Sequence, residues 1–355
     1  MITYIIRRLL LVPVLLFGVT LIIFLMLQFL TPSDRAALYI RDIPKNPNAI
    51  EGAIRRYGLD KPLPVQYWNW LVGIEDPNHP GVILGGILRG NLGFSRVLAQ
   101  PVKDVIAERF PATAELALWA YLPIIGIGVW LGIQAAINHN KFFDQLARVF
   151  SIIGYSFPVF VFGLLVLMLF YAKLRWFMPG RVSDWVTAEI IGGTFPIHTK
   201  LITVDALLNG RFDVFLDSLR HLFLPVLTLS YISWAQFLRI TRASMLESLG
   251  QDYMTTAKAK GVSRREQINK HALPNALIPV ATIAGFTVVG LLGGVVITET
   301  IFTYPGIGNA AARAAAQLDV IAVLGLALFN GTILIMANLV VDILYAVIDP
   351  RIRLS

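Results

Sequence analysis

The sequence predicts an all-α, polytopic membrane protein. Of its 355 residues, 56% are hydrophobic and 15% are charged, whereas soluble domains carry about 25% charged residues. The mean hydropathy is +0.68, and six long apolar runs alternate with polar segments. These observations predict six transmembrane helices with a small external segment after the first helix.

Each apolar run, as a helix rising ~1.5 Å per residue, covers most or all of a ~30 Å hydrocarbon core. The fourth run is the shortest, and we expect its helix to continue past its charged ends. The first run is longer than the core of a signal peptide and lacks a small-x-small cleavage site, so we interpret it as an uncleaved anchor. The predicted spans are Leu9–Leu30, Leu116–Ile137, Val149–Ala172, Leu222–Leu238, Ala272–Thr298 and Val320–Val341, the last extended to Ile348.

The basic residues predict the orientation. The termini and the two loops on their side of the membrane hold 13 of the 30 Lys and Arg residues, at about twice the density of the other loops. Both termini are therefore predicted to be cytoplasmic. The net charge of +8 favours anionic lipid and an acidic partner surface, and it does not indicate nucleic acid, because no basic patch with interleaved aromatic residues is present.

The spans divide the chain into three predicted regions. Residues 1–30 form an N-terminal transmembrane helix, 31–114 an external segment, and 115–355 a five-helix core that includes the polar inner loop 239–271. The Pro, Gly and Trp content of the external segment indicates a small ordered cap rather than a flexible linker. A second long outer segment covers residues 173–221.

Several chemistries are not indicated. There is no cysteine, which excludes disulfides and cysteine-ligated zinc. The motifs H-E-x-x-H, G-x-S-x-G and G-x-x-x-x-G-K-[ST] are absent, and the five histidines are scattered. We therefore expect no enzymatic activity, no bound metal and no cofactor in this chain.

The inner loop contains the most informative segment, Asp252–Pro274. Alanine and lysine predict a short helix that stops at Gly261, and a second basic helix ends at Pro274. A short helix at the membrane surface can rest on anionic lipid or insert into a groove of a soluble partner.

Polar and small residues inside the spans are the other candidates. Burying an unpaired amide in lipid is costly, so Gln236 and Asn330 must face protein or water, and lining a solute pathway is as good an interpretation as interhelical hydrogen bonding. Glu115 and Glu299 are expected at the membrane interface. The pair Gly128 and Gly132 allows close helix packing, within one subunit or between subunits.

An outer turn follows the fifth span. Tyr304, Pro305, Gly306 and Gly308 predict a tight turn beside a small-residue helix. This pattern suits a re-entrant or scoop-like element near an external gate; the alternative is a rigid external connector.

Five segments, in order along nearly the whole chain, resemble the oligopeptide/dipeptide family of ABC importer permeases. The segments are GLDKPLPVQYWNWL (58–71), GNLGFSRVLAQPVKDVIAERFPATAELAL (90–118), DYMTTAKAKGVS (252–263), ETIFTYPGIGN (299–309) and VVDILYAVIDPRIR (340–353). The long outer segment after the first helix is similar to that of the B-type subunit.

The resemblance implies a type I importer permease fold in the inner membrane of a prokaryote. The permease signature has Glu-Ala-Ala, three residues, glycine, nine residues and Ile-x-Leu-Pro; here Thr255-Thr256-Ala257, Gly261 and His271-Ala272-Leu273-Pro274 take those places, without the glutamate and the isoleucine. The ATPase-coupling residues that the resemblance implies are Asp252, Tyr253, Thr256, Ala257, Lys258, Ala259, Lys260 and Gly261. In this reading Ala257 and Ala259 permit close approach of an ATPase subunit.

The same resemblance implies partners and a function. The partners are a homologous C-type permease, two cytoplasmic ATPases that use ATP and Mg, an external solute-binding protein and membrane lipid. The implied function is import of oligopeptides or dipeptides; oligosaccharides, nickel and glutathione are alternatives. An ion-coupled secondary transporter is the rival class, but it requires intramembrane ionisable residues and usually an inverted repeat, which the sequence does not indicate.

Overall fold

A computed structural model describes residues 2–40, 48–77 and 79–348, with side chains from Ile5 to Ile343 inside those ranges. The helices are α1 (Ile2–Leu27), α2 (Pro32–Tyr39), α3 (Asn48–Arg56), α4 (Leu63–Val72), α5 (Val102–Ile137), α6 (Phe142–Ser156), α7 (Val159–Leu167), α8 (Asp184–Ile191), α9 (Ile202–Leu208), α10 (Phe212–Leu249), α11 (Asp252–Ala259), α12 (Arg264–Glu266), α13 (Leu273–Leu292), α14 (Val296–Ile301), α15 (Ile307–Ala316) and α16 (Val320–Ile348). Two short antiparallel hairpins pair β1 (Ile74–Glu75) with β2 (Ile83–Leu84) and β3 (Phe94–Ser95) with β4 (Gln100–Pro101).

The prediction of an all-α membrane protein is confirmed. In the part of the chain that the structure describes, five helices are long and apolar enough to cross a membrane, and the bent pair α6 and α7 makes a sixth crossing if it counts as one span. The fourth predicted span lies within α10, which extends from Phe212 to Leu249. Its helix therefore continues past its charged ends, as expected.

The third predicted span, Val149–Ala172, is not one straight helix. Helices α6 and α7 are bent by 100°. Pro158 lacks an amide hydrogen, and the residue before it, Phe157, is extended with φ −90° and ψ 121°, as a following proline requires. A π-helical turn, Met168–Lys173, completes this segment.

Two further predicted boundaries can be compared with the observed helix ends. The fifth span was predicted to reach Thr298, but α13 ends at Leu292, and Gly294 follows with φ +91°, a conformation that favours glycine. The external segment was predicted to end at residue 114, which falls inside α5, because α5 begins at Val102; the end of the segment at the membrane stays a prediction. Hydropathy does not reveal these helix ends. The first turns of α5 contain charged residues, as a loop does, and Gly293-Gly294 after α13 lie inside a continuous apolar run.

The chain divides into two compact units. The first contains the described residues up to Phe110 together with Gly306–Leu339; the second contains Pro111–Pro305 and the described residues from Val340 onward. This division differs from the predicted regions 1–30, 31–114 and 115–355, because α15 and most of α16 group with the N-terminal residues and α5 contributes to both units.

The first unit has a small folded cap formed by α2, α3 and α4. Ala36, Ala53 and Leu59 form its buried core, and the rings of Tyr39 and Tyr57 stack with their centroids 4.1 Å apart. A second core joins the start of α5 to α15 and α16. The described part of residues 31–101 is thus ordered structure around its own apolar core.

In the second unit α10 packs closely against α5. A Cβ added at Gly132 would lie 2.5 Å from the Cβ of Thr241, and one at Gly128 would lie 2.6 Å from the Cβ of Phe237. Such contacts are too short for any side chain. Gly128 and Gly132 therefore serve packing within this chain.

Candidate functional site

Helix α11 lies in the loop between α10 and α13. Met254 is buried among Met245, Ala272 and Ala276, which belong to or adjoin those two helices. Ala257, one turn later, is buried with 7% exposure. Residues three apart share a helix face, so this face of α11 packs on the chain's own core.

A hydrogen-bond network fixes α11 to both neighbouring helices. The Ser248 Oγ of α10 lies 2.6 Å from the Tyr253 OH and donates to the Ala272 carbonyl at 3.0 Å. The Asn275 Nδ2 of α13 donates to the Tyr253 OH at 3.4 Å. The Tyr253 side chain is nevertheless 39% exposed. It therefore connects the two helices and also contributes to the surface.

Gly261 ends the helix in the way that the sequence predicts. Its φ is +76°, its amide donates to the Lys258 carbonyl at 3.0 Å, and the Val262 amide donates to the Ala257 carbonyl at 3.1 Å. This is a left-handed C-cap, in which glycine is the favoured residue. The Gln267 Nε2 then donates to the Val262 carbonyl at 2.6 Å, which fixes the chain beyond the turn.

The other face of α11 is open. The exposed residues of this segment are Asp252, Tyr253, Thr255, Thr256, Lys258, Ala259, Lys260 and Gly261. Of the predicted coupling set, only Ala257 is buried. Ala257 is 7% exposed and Ala259 is exposed, and the coupling role of both stays a prediction.

The two predicted pathway residues lie in different compact units. Gln236 is half-buried in α10 of the second unit, and Asn330 is half-buried in α16 of the first. The Oδ1 of Asn330 is buried and accepts no hydrogen bond among the described residues. Their role in a pathway remains a prediction.

The turn predicted at Tyr304–Gly308 begins earlier in the structure than the sequence indicates. Tyr304 is fully buried, and Gly306 and Gly308 are buried as well, while Pro305 is half-buried. The left-handed residue is Thr303, with φ +52°, whereas Gly306 has an ordinary φ of −91°. The tight turn therefore exists, but it comes before Gly306, and Tyr304 faces the interior.

Tyr304 belongs to a buried polar cluster that the sequence did not reveal. Glu115 is 1% exposed, and its Oε2 accepts from Arg181 Nε at 2.9 Å and Nη2 at 2.7 Å. Its Oε1 accepts from the Thr203 amide at 2.6 Å and Oγ1 at 2.8 Å. The Tyr304 OH lies 3.4 Å from Oε2. Burial, together with the Glu115 carboxylate, raises the pKa of Tyr304 well above its ordinary value, so the phenol is a neutral donor.

Glu299 lies buried in the same unit. It is fully buried, and its Oε1 accepts from the Thr113 Oγ1 at 2.8 Å. Both glutamates are therefore enclosed by protein, and their position at the membrane interface stays a prediction. The sequence indicated only that a glutamate beside an apolar run needs hydrogen-bond donors, and it did not indicate which residues supply them.

No group of His, Asp or Glu within the described ranges is arranged to hold a metal ion. In the second unit the candidate site consists of the anchored helix α11 and the buried polar cluster around Glu115. A surface helix fixed to two long helices can transmit movement to them.

The chain matches the family described as "Binding-protein-dependent transport system inner membrane component" over residues 128–354. Residues 1–117 match the corresponding N-terminal family, "Binding-prot-dependent transport system membrane comp, N-term". It is 39% identical over 355 residues to the di/tripeptide transport system permease protein DppB of Pseudomonas aeruginosa (strain UCBPP-PA14), covering 99% of each chain.

Two further relatives match over almost their whole length. The dipeptide transport system permease protein DppB of Escherichia coli (strain K12) is 35% identical over 356 residues, covering 99% of each chain. The dipeptide transport system permease protein DppB of Alkalihalophilus pseudofirmus (strain ATCC BAA-2126 / JCM 17055 / OF4) is 36% identical over 353 residues, covering 99% of this chain and 100% of the relative.

The buried cluster predicts a large loss of stability on Arg181→Gln. Removing one partner of a buried ion pair costs about 3–5 kcal/mol, because the remaining charge is left uncompensated. Thermal unfolding of the purified protein in detergent should therefore begin at a clearly lower temperature. Arg175→Gln, at an exposed position in the same connecting segment, is the matched control and should unfold like the parent. Equal unfolding temperatures for both variants would show that the pair contributes nothing.

Proposed function

The chain belongs to the family of binding-protein-dependent transport system inner membrane components, and we propose that it forms half of the solute pathway of an ATP-driven importer of oligopeptides or dipeptides. The peptide assignment is supported by the relatives described above, whose names specify dipeptide or di/tripeptide transport. No feature favours oligosaccharides, nickel or glutathione over peptides. The chain is a multi-pass protein of the inner membrane and a non-catalytic subunit.

The proposal assigns the remaining parts of the importer to partners. A homologous C-type permease supplies the other half of the pathway, and an external solute-binding protein delivers the peptide. Two cytoplasmic ATPase subunits bind ATP and Mg. This chain itself binds no cofactor in the proposal, and its part is to supply walls, gates and the contact that receives the ATPase movement.

The observation that carries the proposal is the two-sided character of α11. One face is fixed to the chain by Met254, Ala257 and the Tyr253 hydrogen bonds. The other face is exposed and contains small, hydroxylated and basic residues. A helix attached in this way passes a displacement of its exposed face directly to the ends of α10 and α13.

The mechanism is a shift between two states. ATP binding draws the ATPase subunits together, the docked α11 moves with them, and α10 and α13 change their tilt so that the pathway opens outward. Hydrolysis and product release reverse the change. A ligand shifts such an equilibrium only by its differential affinity for the two states, which here comes from the ATPase contact.

We propose that both termini and α11 are cytoplasmic. The support is the density of Lys and Arg, which is about double in the inner loops. The segment between α1 and α5 is then external, where a binding protein can reach it. Met1 and the residues after Ile348 lie outside the described residues, and the count of Lys and Arg is taken from the sequence.

Ala259→Trp tests the coupling assignment. A bulky indole on the exposed face should overfill the groove of an ATPase subunit, at a cost of about 1–3 kcal/mol, and leave the membrane fold intact. We expect co-purification of the ATPase, or solute-stimulated ATP hydrolysis, to fall about tenfold. Gly261→Pro should give the same result, because proline cannot adopt the φ of +76° found there.

The matched control for these variants is Lys141→Trp, which places an indole at an exposed position of another inner loop. It should assemble and hydrolyse ATP like the parent. Full assembly and solute-stimulated hydrolysis in both Ala259→Trp and Gly261→Pro would contradict docking and would favour a helix that rests on lipid. Ala257→Trp is unsuitable here, because Ala257 is buried in this chain's own core.

The orientation is tested by labelling single cysteines, since the parent has none. Ser33 in α2 and Ser263 after α11 are both exposed, whereas Ser95 is fully buried and unsuitable. In intact cells an impermeant thiol reagent should label Ser33→Cys and spare Ser263→Cys. Labelling both after permeabilisation is the control for accessibility. The reverse pattern in intact cells would invert the orientation.

A further inference from the structure

The first compact unit contains a cavity of about 580 Å³, within the ~300–1,000 Å³ of typical ligand sites. Its walls come from the end of α1, from α2 and α4, from the hairpins, and from the start of α16. The proposed import function assigns it no role. All charged residues of its described lining are basic, and two buried hydrogen-bond donors of lining residues have no acceptor among the described residues.

The charged residues that line the cavity are all basic. They are Arg35, Arg89, Arg96 and Lys103, and no carboxylate is among the described residues of the lining. Arg96 and Arg89 donate to backbone carbonyls, at 2.5 Å to Ala37 and 2.9 Å to Val72. The cavity therefore has a positive potential that no described lining residue neutralises.

Arg35 is the innermost of these cations. Arg35 is only 7% exposed. Its Nη1 donates to the amide oxygens of Gln28 at 2.6 Å and Gln66 at 2.7 Å. Gln66 is held in this orientation because its Nε2 donates to the Leu59 and Lys61 carbonyls. Arg35 thus has neutral acceptors where a buried guanidinium ordinarily has a carboxylate.

Two buried donors at this point have no acceptor among the described residues. They are the Nε of Arg35 and the Nε2 of Gln28, and both residues line the cavity. A buried donor without an acceptor costs about 1–3 kcal/mol, and more when charged. Burial also lowers the pKa of Arg35, as expected for a charge without a counter-ion. An anion in the cavity would supply the counter-charge that Arg35 lacks.

The apolar part of the cavity belongs to membrane-spanning helices. Phe24 and Leu27 lie in α1, and Leu324 and Leu328 lie in α16, two of the helices that are long and apolar enough to cross a membrane. Trp70 of α4 lines the cavity as well. The lining thus joins basic groups from α2, from the region of the second hairpin and from the start of α5 to apolar groups from the ends of two spans.

We propose that this cavity binds an anionic phospholipid, with its phosphate beside Arg35 and its acyl chains along α1 and α16. The phosphate accepts charge-assisted hydrogen bonds from basic groups of the lining. The cavity holds the headgroup and the first part of the chains, and the rest of the lipid stays in the bilayer. The bound lipid fastens the cap to the membrane surface, a role independent of which solute the importer carries.

A peptide carboxylate offers the same charge but fits the lining less well. A dipeptide carries a cationic amino group, for which the described lining provides no carboxylate. It also leaves the apolar ends of α1 and α16 without a partner. The combination of uncompensated cations with span residues favours a lipid.

The test is native mass spectrometry of the detergent-solubilised full chain, or of its complex, incubated with phosphatidylglycerol or phosphatidylcholine. The parent should retain phosphatidylglycerol about tenfold better than phosphatidylcholine, and Arg35→Gln should lose that preference, as expected for a lost charge-assisted hydrogen bond. Lys103→Glu, at an exposed position at the start of α5, should lower phosphatidylglycerol retention about fivefold, which corresponds to about 1 kcal/mol per basic group near an anionic surface.

Arg55→Gln is the matched control, because Arg55 is exposed on α3 of the same unit and does not line the cavity; it should retain lipid like the parent. Lys103→Glu keeps the test valid if Arg35→Gln misfolds, since the Arg35 hydrogen bonds are untouched. Equal retention of the two lipids by the parent, or unchanged retention in Lys103→Glu, would overturn the proposal. Displacement of phosphatidylglycerol by dialanine would also overturn it and assign the cavity to a peptide. None of these outcomes depends on transport, so they leave the proposed import function untouched.

Discussion

The second compact unit depends on the hydrogen bonds and the ion pair that the buried Glu115 carboxylate makes. The carboxylate receives hydrogen bonds from Arg181 and from Thr203, residues that belong to the outer segment between α7 and α10. A carboxylate inside a low-dielectric region persists only when such donors surround it. The cluster therefore fixes a long outer segment to α5 at one defined position, while the glycines of α5 set its close approach to α10. The hydrogen bonds to Glu115 fix where the segment lies, and apolar side chains fill the space around it.

Around α11, in the same unit, buried polar groups also find hydrogen-bond partners within the chain, but here one helix face stays exposed. Ser248, Tyr253 and Asn275 satisfy one another between α10, α11 and α13, so the inner helix is anchored without being enclosed. One face has its partners within the chain, and the other face is left for a second protein. In the proposed importer this arrangement makes α11 a rigid contact rather than a flexible tether. A displacement of the docked partner then moves the ends of α10 and α13 directly, because hydrogen bonds join α11 to both helices.

The sequence predicted the class of fold and the place of the inner helix, because hydropathy and glycine stops are local signals. It did not predict the bend at Pro158 or the end of α13, although the proline and Gly293-Gly294 were visible, since apolar composition masks a break inside a long run. The donors of Glu115 were out of reach, because Arg181 and Thr203 are distant in sequence and only tertiary structure brings them together. The burial of Ala257 could have been predicted, because its spacing from Met254 indicates a shared helix face.

The central claim is that the exposed face of α11 contacts an ATPase subunit. The direct measurement is photo-crosslinking from a benzophenone amino acid at Lys258, which is exposed, compared with one at Thr194, which is exposed in the outer segment. In cells that express the whole importer, irradiation should produce an adduct between this chain and the ATPase from position 258 and none from position 194. An ATPase adduct that is absent at 258, or equally strong at 194, would contradict the assignment of α11 as the coupling helix.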